Sequence, residues 1–513
     1  MVNKTYSDAR TFTEHKENLV TNTVSVVGRE VRSGLERMAG SGCSFADARF
    51  YDEDRAQTLM LRDGNLEVNA GTLERGIGIR VLYKGAWGFA ATGDLSQVSA
   101  TFDRALTNAR AAALLPGFPK TMGPAQPVQG KYEPPVKRDP FDVPLEEKLG
   151  LLKDVDTALA DKSVAHRAVT ATFQRRRVFY WNSEGTAIDR KALNTFGMIL
   201  AMAPDKDGRM QRRSVELSSD GAGTRGYEWL SDPVCFAGHA ERVKYELGQI
   251  VAAEPLPAGK RDLIILPGQG FLQVHETIGH ALELDRILGY ELSFAGGSHV
   301  RPEMVGTLRY GSDKLNCKAG VVPNSPGTFG YDDEGTPQHE YFLIKQGILV
   351  NVLSSRAGLA EANAKAGKTV VTRSGAAARS CAFYRTPIDR MTNINIDYGN
   401  DGSLDDIIAA TSDGIIVDVP VSWSIGSNRE HFHFGCEIAW EVRDGKRGKV
   451  YKNATYHGHT LEFWNSLDKV GAKPTWRLQQ VPNCGKGEPN QIMELGHGIP
   501  VMRFANVLVG EKE

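Results

Sequence analysis

The sequence predicts an α+β protein: N-terminal α/β segments with an antiparallel sheet flanked by helices, then a mainly β C-terminal domain carrying one special helix. Three observations predict it. Apolar-alternating runs around Asp-Gly and Lys-Gly turns lie between two helical patterns in the first 115 residues. A second set of helix and strand patterns follows a proline-rich stretch. From about residue 261 one strand leads into a helix carrying HETIGH, and strand-rich sequence with Gly and Asp turns fills most of the remainder.

The elements follow in order. Residues 16–39 place Leu19, Val24, Val27, Val31, Leu35 and Met38 near one face of an amphipathic helix. LMLRDGNLEV, 59–68, is a hairpin around Asp-Gly, and GIGIRVLYKGAWGFAA gives two more strands around Lys-Gly. SATFDRALTNARAAALL begins at a candidate cap, Ser99, and continues as helix, completing a first domain at 1–115. Between Pro116 and Pro140 there are seven prolines, so 116–141 reads as an extended linker. In a middle domain, 142–256, EEKLGLLKDVDTALA is helical. VTATFQ, RRVFYWNSEGTAIDR and NTFGMILAM then alternate as strands, with a turn at Asn182 to Gly185, and a helix around 232–249 closes the segment. Pro255 to Gly259 marks the break before the C-terminal domain, 257–513. No period of 20–50 residues indicates a repeat array.

Composition narrows the function. A formal net charge of −1 supplies no electrostatic argument for nucleic acid or an anionic membrane. No apolar run is long enough to span a bilayer, and the start MVNKTYSDARTFTEHKEN lacks a signal-peptide core. Six cysteines (Cys43, Cys235, Cys317, Cys381, Cys436 and Cys484) stand singly without CxxC spacing, which fits a reducing cytoplasm rather than a disulfide framework. AGKTVVTRSG has Ala362 where a phosphate loop needs its first glycine, and GIGIRV has no third glycine opening a helix. The chain has no GxSxG elbow.

HETIGHALELDRI, 275–287, carries the chemistry. His-Glu followed by a second His resembles a zinc-hydrolase helix, yet the histidines are five apart rather than four. On a regular α-helix residues four apart diverge by about 40° and residues five apart by about 140°. Joint chelation by His275 and His280 therefore requires a locally underwound helix. A single π-type turn brings the pair to within roughly 75°, and Gly279 is the residue best able to permit it. A catalytic zinc takes three protein ligands and keeps a fourth position open. Candidates for the third ligand are His431 and His433 with nearby Cys436, His457 and His459, Cys484 and His497. The residues alone do not choose among them. Glu283 and Asp285 read as orienters of the imidazoles.

Further motifs stand in a fixed order around this helix. YDDEGTP (331–337), KQGIL (345–349), DRMTN (389–393) and NCGKG (483–487), with GIGIRVLYKGAWGFAATGDLS near the start, resemble the TldD/PmbA metallopeptidases over nearly the whole chain. The resemblance implies a Zn²⁺ peptidase in which Cys484 joins His275 and His280 as the third ligand and Glu276 is the general base. It also implies a homodimer, or a heterodimer with a TldE/PmbA-like chain, enclosing a site reached by unfolded or short peptides. The segment VPVSWSIGSNREHFHF lacks the family's consecutive glycines, and GEPNQIMELGHGIP departs after CGK. His431, His433 and His497 are additions to the family pattern. Two other readings use the same residues: an inert assembly partner, against which retention of all four site residues argues, and a zinc hydrolase of a non-peptide amide.

Overall fold

The computed structural model describes residues 7–216, 226–232, 236–294 and 296–510, with side chains described from Thr23 onward. Helix α1 (Ser7–Gly40) leads into strands β1 (Phe45–Arg62), β2 (Asn65–Tyr83) and β3 (Ala86–Thr92), followed by α2 (Val98–Ala112). Then come β4 (Gln129–Tyr132), α3 (Leu145–Leu159), β5 (His166–Asn182), β6 (Ala187–Pro204) and β7 (Met210–Glu216). The two hairpin turns fall where the sequence puts them. Asp63–Gly64 and Lys84–Gly85 all have left-handed φ, 50° and 82°, then 48° and 78°, the pairing that matches strand twist. The expected helix face holds as well: Val27, Val31, Leu35 and Met38 are buried, while the Leu19 side chain lies outside the described residues.

Strands from both N-terminal segments join one sheet, ordered β3-β2-β1-β5-β6-β4 with β7 also paired to β6. A bulge in β1 between Tyr51 and Glu53 changes the parity of that strand. As a result Ala48 and Phe50 before it, and Leu59 and Leu61 after it, all oppose odd-numbered residues of β5. They lie on a single face. That face carries α1 and α2 over one end, around Phe50, Ile79 and Phe102. Over the other end lie α3 and the helix Ala240–Ala252, around Leu61, Phe173 and Leu247. The helix expected around 232–249 thus begins later and runs further, and residues 233–235 lie outside the described ones.

Residues 116–141 do more than connect. Gln129–Tyr132 (β4), a stretch without proline, pairs in parallel with Ala187–Arg190 of β6. Proline lacks the N–H a sheet needs, which keeps its neighbours out of the ladder. The same stretch is pinned by Lys120 N to Gly85 O at 2.8 Å and Gly123 N to Arg356 O at 3.1 Å. The cap of α2 also differs from expectation. Asp94, not Ser99, caps this turn, accepting from Ser96 N at 3.0 Å ahead of a short 3₁₀ stretch, because the helix already starts at Val98.

The C-terminal half is built on a closed ring. Strand Asp413–Ile425 pairs with Gly259–Ile265, which pairs with Met502–Val509, then Ala454–His459, then His431–Arg443, which returns to Asp413–Ile425. Closure removes the unpaired edges of the ring. The metal-motif helix follows Ile265 directly, with Pro267 at its first position, and buries Leu272, Val274, Ile278 and Leu282 among Phe432, Tyr456, Phe463 and Phe504.

The second face of the N-terminal sheet meets this half through charge. Arg49 and Tyr51 of β1 bond Ser380, Arg190 of β6 bonds Asp333, and Arg80 of β2 pairs with Asp47 and Glu334. The DDEG segment is therefore a docking element between the two halves. A cavity of about 250 Å³ lies between Thr170, Thr172, Phe196 and Met198 of the sheet and Gln480, Pro482 and Asn483 of the C-terminal half.

Candidate metal centre

The helical segment that carries the motif changes type at the histidines. Pro267–Val274 is α-helical, His275–Gly279 forms a π turn closed by His280 N–H to the His275 carbonyl, and His280–Leu282 tightens to 3₁₀. The five-residue spacing is accommodated as the sequence requires, although the long regular helix gives way to three short pieces. Gly279 contributes differently from expectation. Its φ of −55° and ψ of −66° suit any L-residue, but a Cβ there would sit 2.1 Å from the Met391 sulfur. The glycine makes room for the DRMTN segment.

Polar groups behind the turn hold it in place. Thr277 Oγ1 accepts from Trp464 Nε1 at 2.9 Å and from Gln273 Nε2 at 3.2 Å. The Tyr310 hydroxyl donates to the Thr277 carbonyl. Tyr456 donates to Gln273 Oε1 at 3.0 Å and accepts from Gln269 Nε2 at 3.1 Å. These bonds satisfy groups that the irregular helix leaves without intrahelical partners.

The third element is a hairpin, Arg477–Lys486 paired with Gln491–Ile499. A bulge between Val481 and Cys484 inserts one extra residue and redirects the strand. Beyond it Cys484 and Lys486, two apart, share the buried side while Gly485 is exposed. His275, His280 and Cys484 each offer one ligand atom, and these lie within 4.8 Å of one another. All three residues are buried, the two rings standing edge to face at 4.8 Å with Cys484 Sγ 3.5 Å from His280 Nε2. Glu276, between the histidines, is only partly buried, and its charge acts on His275.

Around the cluster the charges are paired. Glu283 accepts from His280 Nδ1 at 2.9 Å, Arg286 Nε at 3.0 Å, Met391 N at 3.1 Å and Lys486 Nζ at 3.2 Å. Burial alone would raise the Glu283 carboxyl, but Lys486, His280 and Arg286 outweigh it and hold it well below the usual range. Asp285, expected to orient an imidazole, instead pairs with Lys486, because the chain leaves the 3₁₀ turn at Glu283 and directs only that carboxylate inward. Arg390 donates to the Cys484 sulfur at 2.9 Å and to its carbonyl at 2.6 Å. Burial would raise the thiol, yet Arg390 and His280 bring it below its ordinary value, favouring thiolate. Burial lowers both His275 and His280, favouring neutral imidazoles.

The other candidate ligands lie elsewhere. His431 faces His459 and His433 faces His457 across paired strands of the ring, and Cys436 is a core residue. Among the described residues the one group of three or more metal-ligating side chains is His275, His280 and Cys484. His497 does belong here: its Nε2 lies 2.9 Å from His275 Nδ1. Arg390, Met391 and Lys486 were present in DRMTN and NCGKG without an assigned task. Only the tertiary fold, which joins positions from 94 to 201 residues apart, reveals what they touch.

The chain is similar to known proteins along most of its length. Three domain profiles match in order: PmbA/TldA metallopeptidase domain 1 over 46–113, the central domain over 138–251 and the C-terminal domain over 259–511. A metalloprotease of Methanothermobacter thermautotrophicus is 28% identical, the alignment covering 91% of this chain and 95% of that one. A metalloprotease TldD homolog of Haemophilus influenzae is 25% identical, covering 92% and 94%. A zinc metalloprotease TldD homolog of Saccharolobus solfataricus is 23% identical, covering 84% and 89%. Among solved structures, TldE from Thermococcus kodakarensis superposes with a TM-score of 0.69 at 17% identity, covering 94% of this chain and 99% of that one. With three consecutive domains accounted for, this chain belongs to the PmbA/TldA (TldD) metallopeptidase family.

Proposed function

We propose that the chain is a zinc-dependent peptidase of the HExxxH type that hydrolyses unfolded or short peptides. The observation that carries this reading is the convergence of His275, His280 and Cys484 within 4.8 Å, with the partly buried Glu276 near His275. Two imidazoles biased toward neutrality and a thiol biased toward thiolate form the donor set that zinc takes, with one position left for chemistry. When bound, zinc supplies Lewis acidity toward a scissile carbonyl and acidifies water.

The chain's residues account for the remaining steps. Glu276 accepts the proton of the attacking water and returns it to the leaving amine. Glu283 fixes the His280 ring so that Nε2 points at the cluster, and Arg390 keeps the sulfur in place. The cavity bounded by Pro482 and Asn483, next in sequence to Cys484, adjoins the strand that supplies the sulfur. We extend the reading to a dimer, with itself or with a TldE-type chain, enclosing the site; the TldE likeness supports it. The cytoplasm is the proposed setting, supported by five described cysteines that form no disulfide.

Metal analysis and peptide digestion test this together. The purified protein should carry about one zinc per chain and show chelator-sensitive cleavage of a peptide mixture read by mass spectrometry. Glu276→Ala should keep the zinc and lose roughly 10²–10⁴-fold in turnover, the range for a removed general base. Cys484→Ala should lose zinc. Normal zinc binding by Cys484→Ala would sink the ligand set. Zinc without cleavage of any peptide would leave the non-peptide amidase or the inert partner.

A further inference from the structure

The two imidazoles at the cluster are supported in different ways. His280 Nδ1 meets a carboxylate, Glu283, whereas His275 Nδ1 meets another imidazole, His497 Nε2, at 2.9 Å. The opposite nitrogen of that ring, His497 Nδ1, lies 3.0 Å from the main-chain carbonyl of Ile394. A carbonyl oxygen only accepts, so His497 Nδ1 carries the hydrogen. In a neutral ring Nε2 is then the acceptor. His275 must therefore donate from Nδ1, which leaves its Nε2 lone pair unprotonated and available to a metal.

We propose that His497 is the positioning residue that fixes the tautomer and ring plane of His275 for metal binding, through the relay Ile394 C=O, His497, His275. This inference rests on the ligand assignment proposed above. His497 is fully buried on the hairpin that also supplies Cys484, so one element brings both the sulfur and the orienting ring. Its strand is locked beside the relay by Gly498 N donating to Asn395 Oδ1 at 2.7 Å. The ring planes of His275 and His497 are 85° apart with centroids at 5.1 Å, so the two rings meet through their nitrogens rather than by stacking.

The test compares full-length wild type with His497→Phe, which removes the acceptor, and His497→Gln, which retains an acceptor and a donor. Zinc affinity is measured by competition with a chromogenic chelator, and the cobalt-substituted proteins are compared by visible absorption. His497→Phe should weaken zinc about 10–100-fold and alter the cobalt spectrum, while His497→Gln recovers most of the affinity. Thermal melts of the metal-free proteins report folding separately, and His497→Leu replaces His497→Phe if the latter fails to fold. A folded His497→Phe or His497→Leu that binds zinc as wild type does overturns the assignment. So does a folded His497→Gln no better than the acceptor-free variant. Wild type without zinc affinity would instead overturn the ligand assignment beneath it.

Discussion

At Gly279 a single missing Cβ decides whether two distant segments can meet. The Met391 sulfur occupies the space where that Cβ would stand, and Met391 N in turn donates to Glu283, which holds His280. Gly279→Ala should therefore displace Met391, costing about 1–3 kcal/mol as overpacking does, and should weaken zinc binding through Glu283. Unchanged thermal stability and zinc affinity would count against this chain of contacts. Titration behaviour is set at the same scale. His275, His280 and His497 are all lowered from 6.5, by burial first in each case. Between their depressed values and 6.5 the unfolded chain binds protons that the folded rings refuse, so the contribution of these histidines to stability falls as pH falls through that window. Buried Asp389 and Asp332, pushed up to about 8 and about 7, act in the opposite direction over the same range, so the rings are followed directly by NMR of the metal-free protein; imidazoles already protonated at pH 6.5 would contradict the shifts. The residue types at the cluster were readable because metal chemistry restricts them so strongly. His497 was not, because nothing in its spacing links it to a ring 222 positions away.

Among the elements, the π turn was the most readable, since five-residue spacing excludes joint chelation from a regular α-helix. What stabilises the turn was hidden, because its partners Tyr310, Tyr456 and Trp464 come from separate elements of the C-terminal half. Thr277 is their common point. Thr277→Val keeps shape and volume but leaves the buried Trp464 N–H and Gln273 amide without their shared acceptor. The expected loss is about 1–3 kcal/mol, the cost of a stranded buried donor, measurable by chemical denaturation. A Thr277→Val protein as stable as wild type would show that the network is not what holds the turn. The paired strands with His431, His433, His457 and His459 teach the converse. Their i, i+2 spacing is the same whether a face binds metal or merely alternates, and only the fold shows that these histidines do not join the cluster.

For the whole molecule, alternation showed which residues share a strand face but not which strands are neighbours, so two segments on either side of a proline-rich stretch were not recognisable as one sheet. The pairing of β1 with β5 joins them, and the sheet's second face then becomes a docking surface for the C-terminal half. Away from the DDEG contacts, Arg213 on β7 marks another place where the halves are joined. It is fully buried and reaches Glu246 at 2.6 Å, Asp418 at 2.8 Å and Glu437 at 3.4 Å. Glu437, on a ring strand, also accepts from Arg212 Nε at 2.6 Å, Ser214 N at 2.8 Å and Ser214 Oγ at 2.7 Å. Removing that carboxylate leaves the buried Ser214 N–H and hydroxyl without their acceptor and takes a partner from Arg212, while Arg213 keeps Glu246 and Asp418. A stranded buried donor costs about 1–3 kcal/mol. Glu437→Ala should accordingly lower the denaturation midpoint and loosen the N-terminal sheet from the ring, seen as earlier proteolysis between residues 204 and 259. Zinc affinity should survive, because the metal cluster lies entirely within the C-terminal half. If Glu437→Ala instead lost zinc while keeping its protease resistance, docking and metal binding would be coupled in a way that these contacts do not provide.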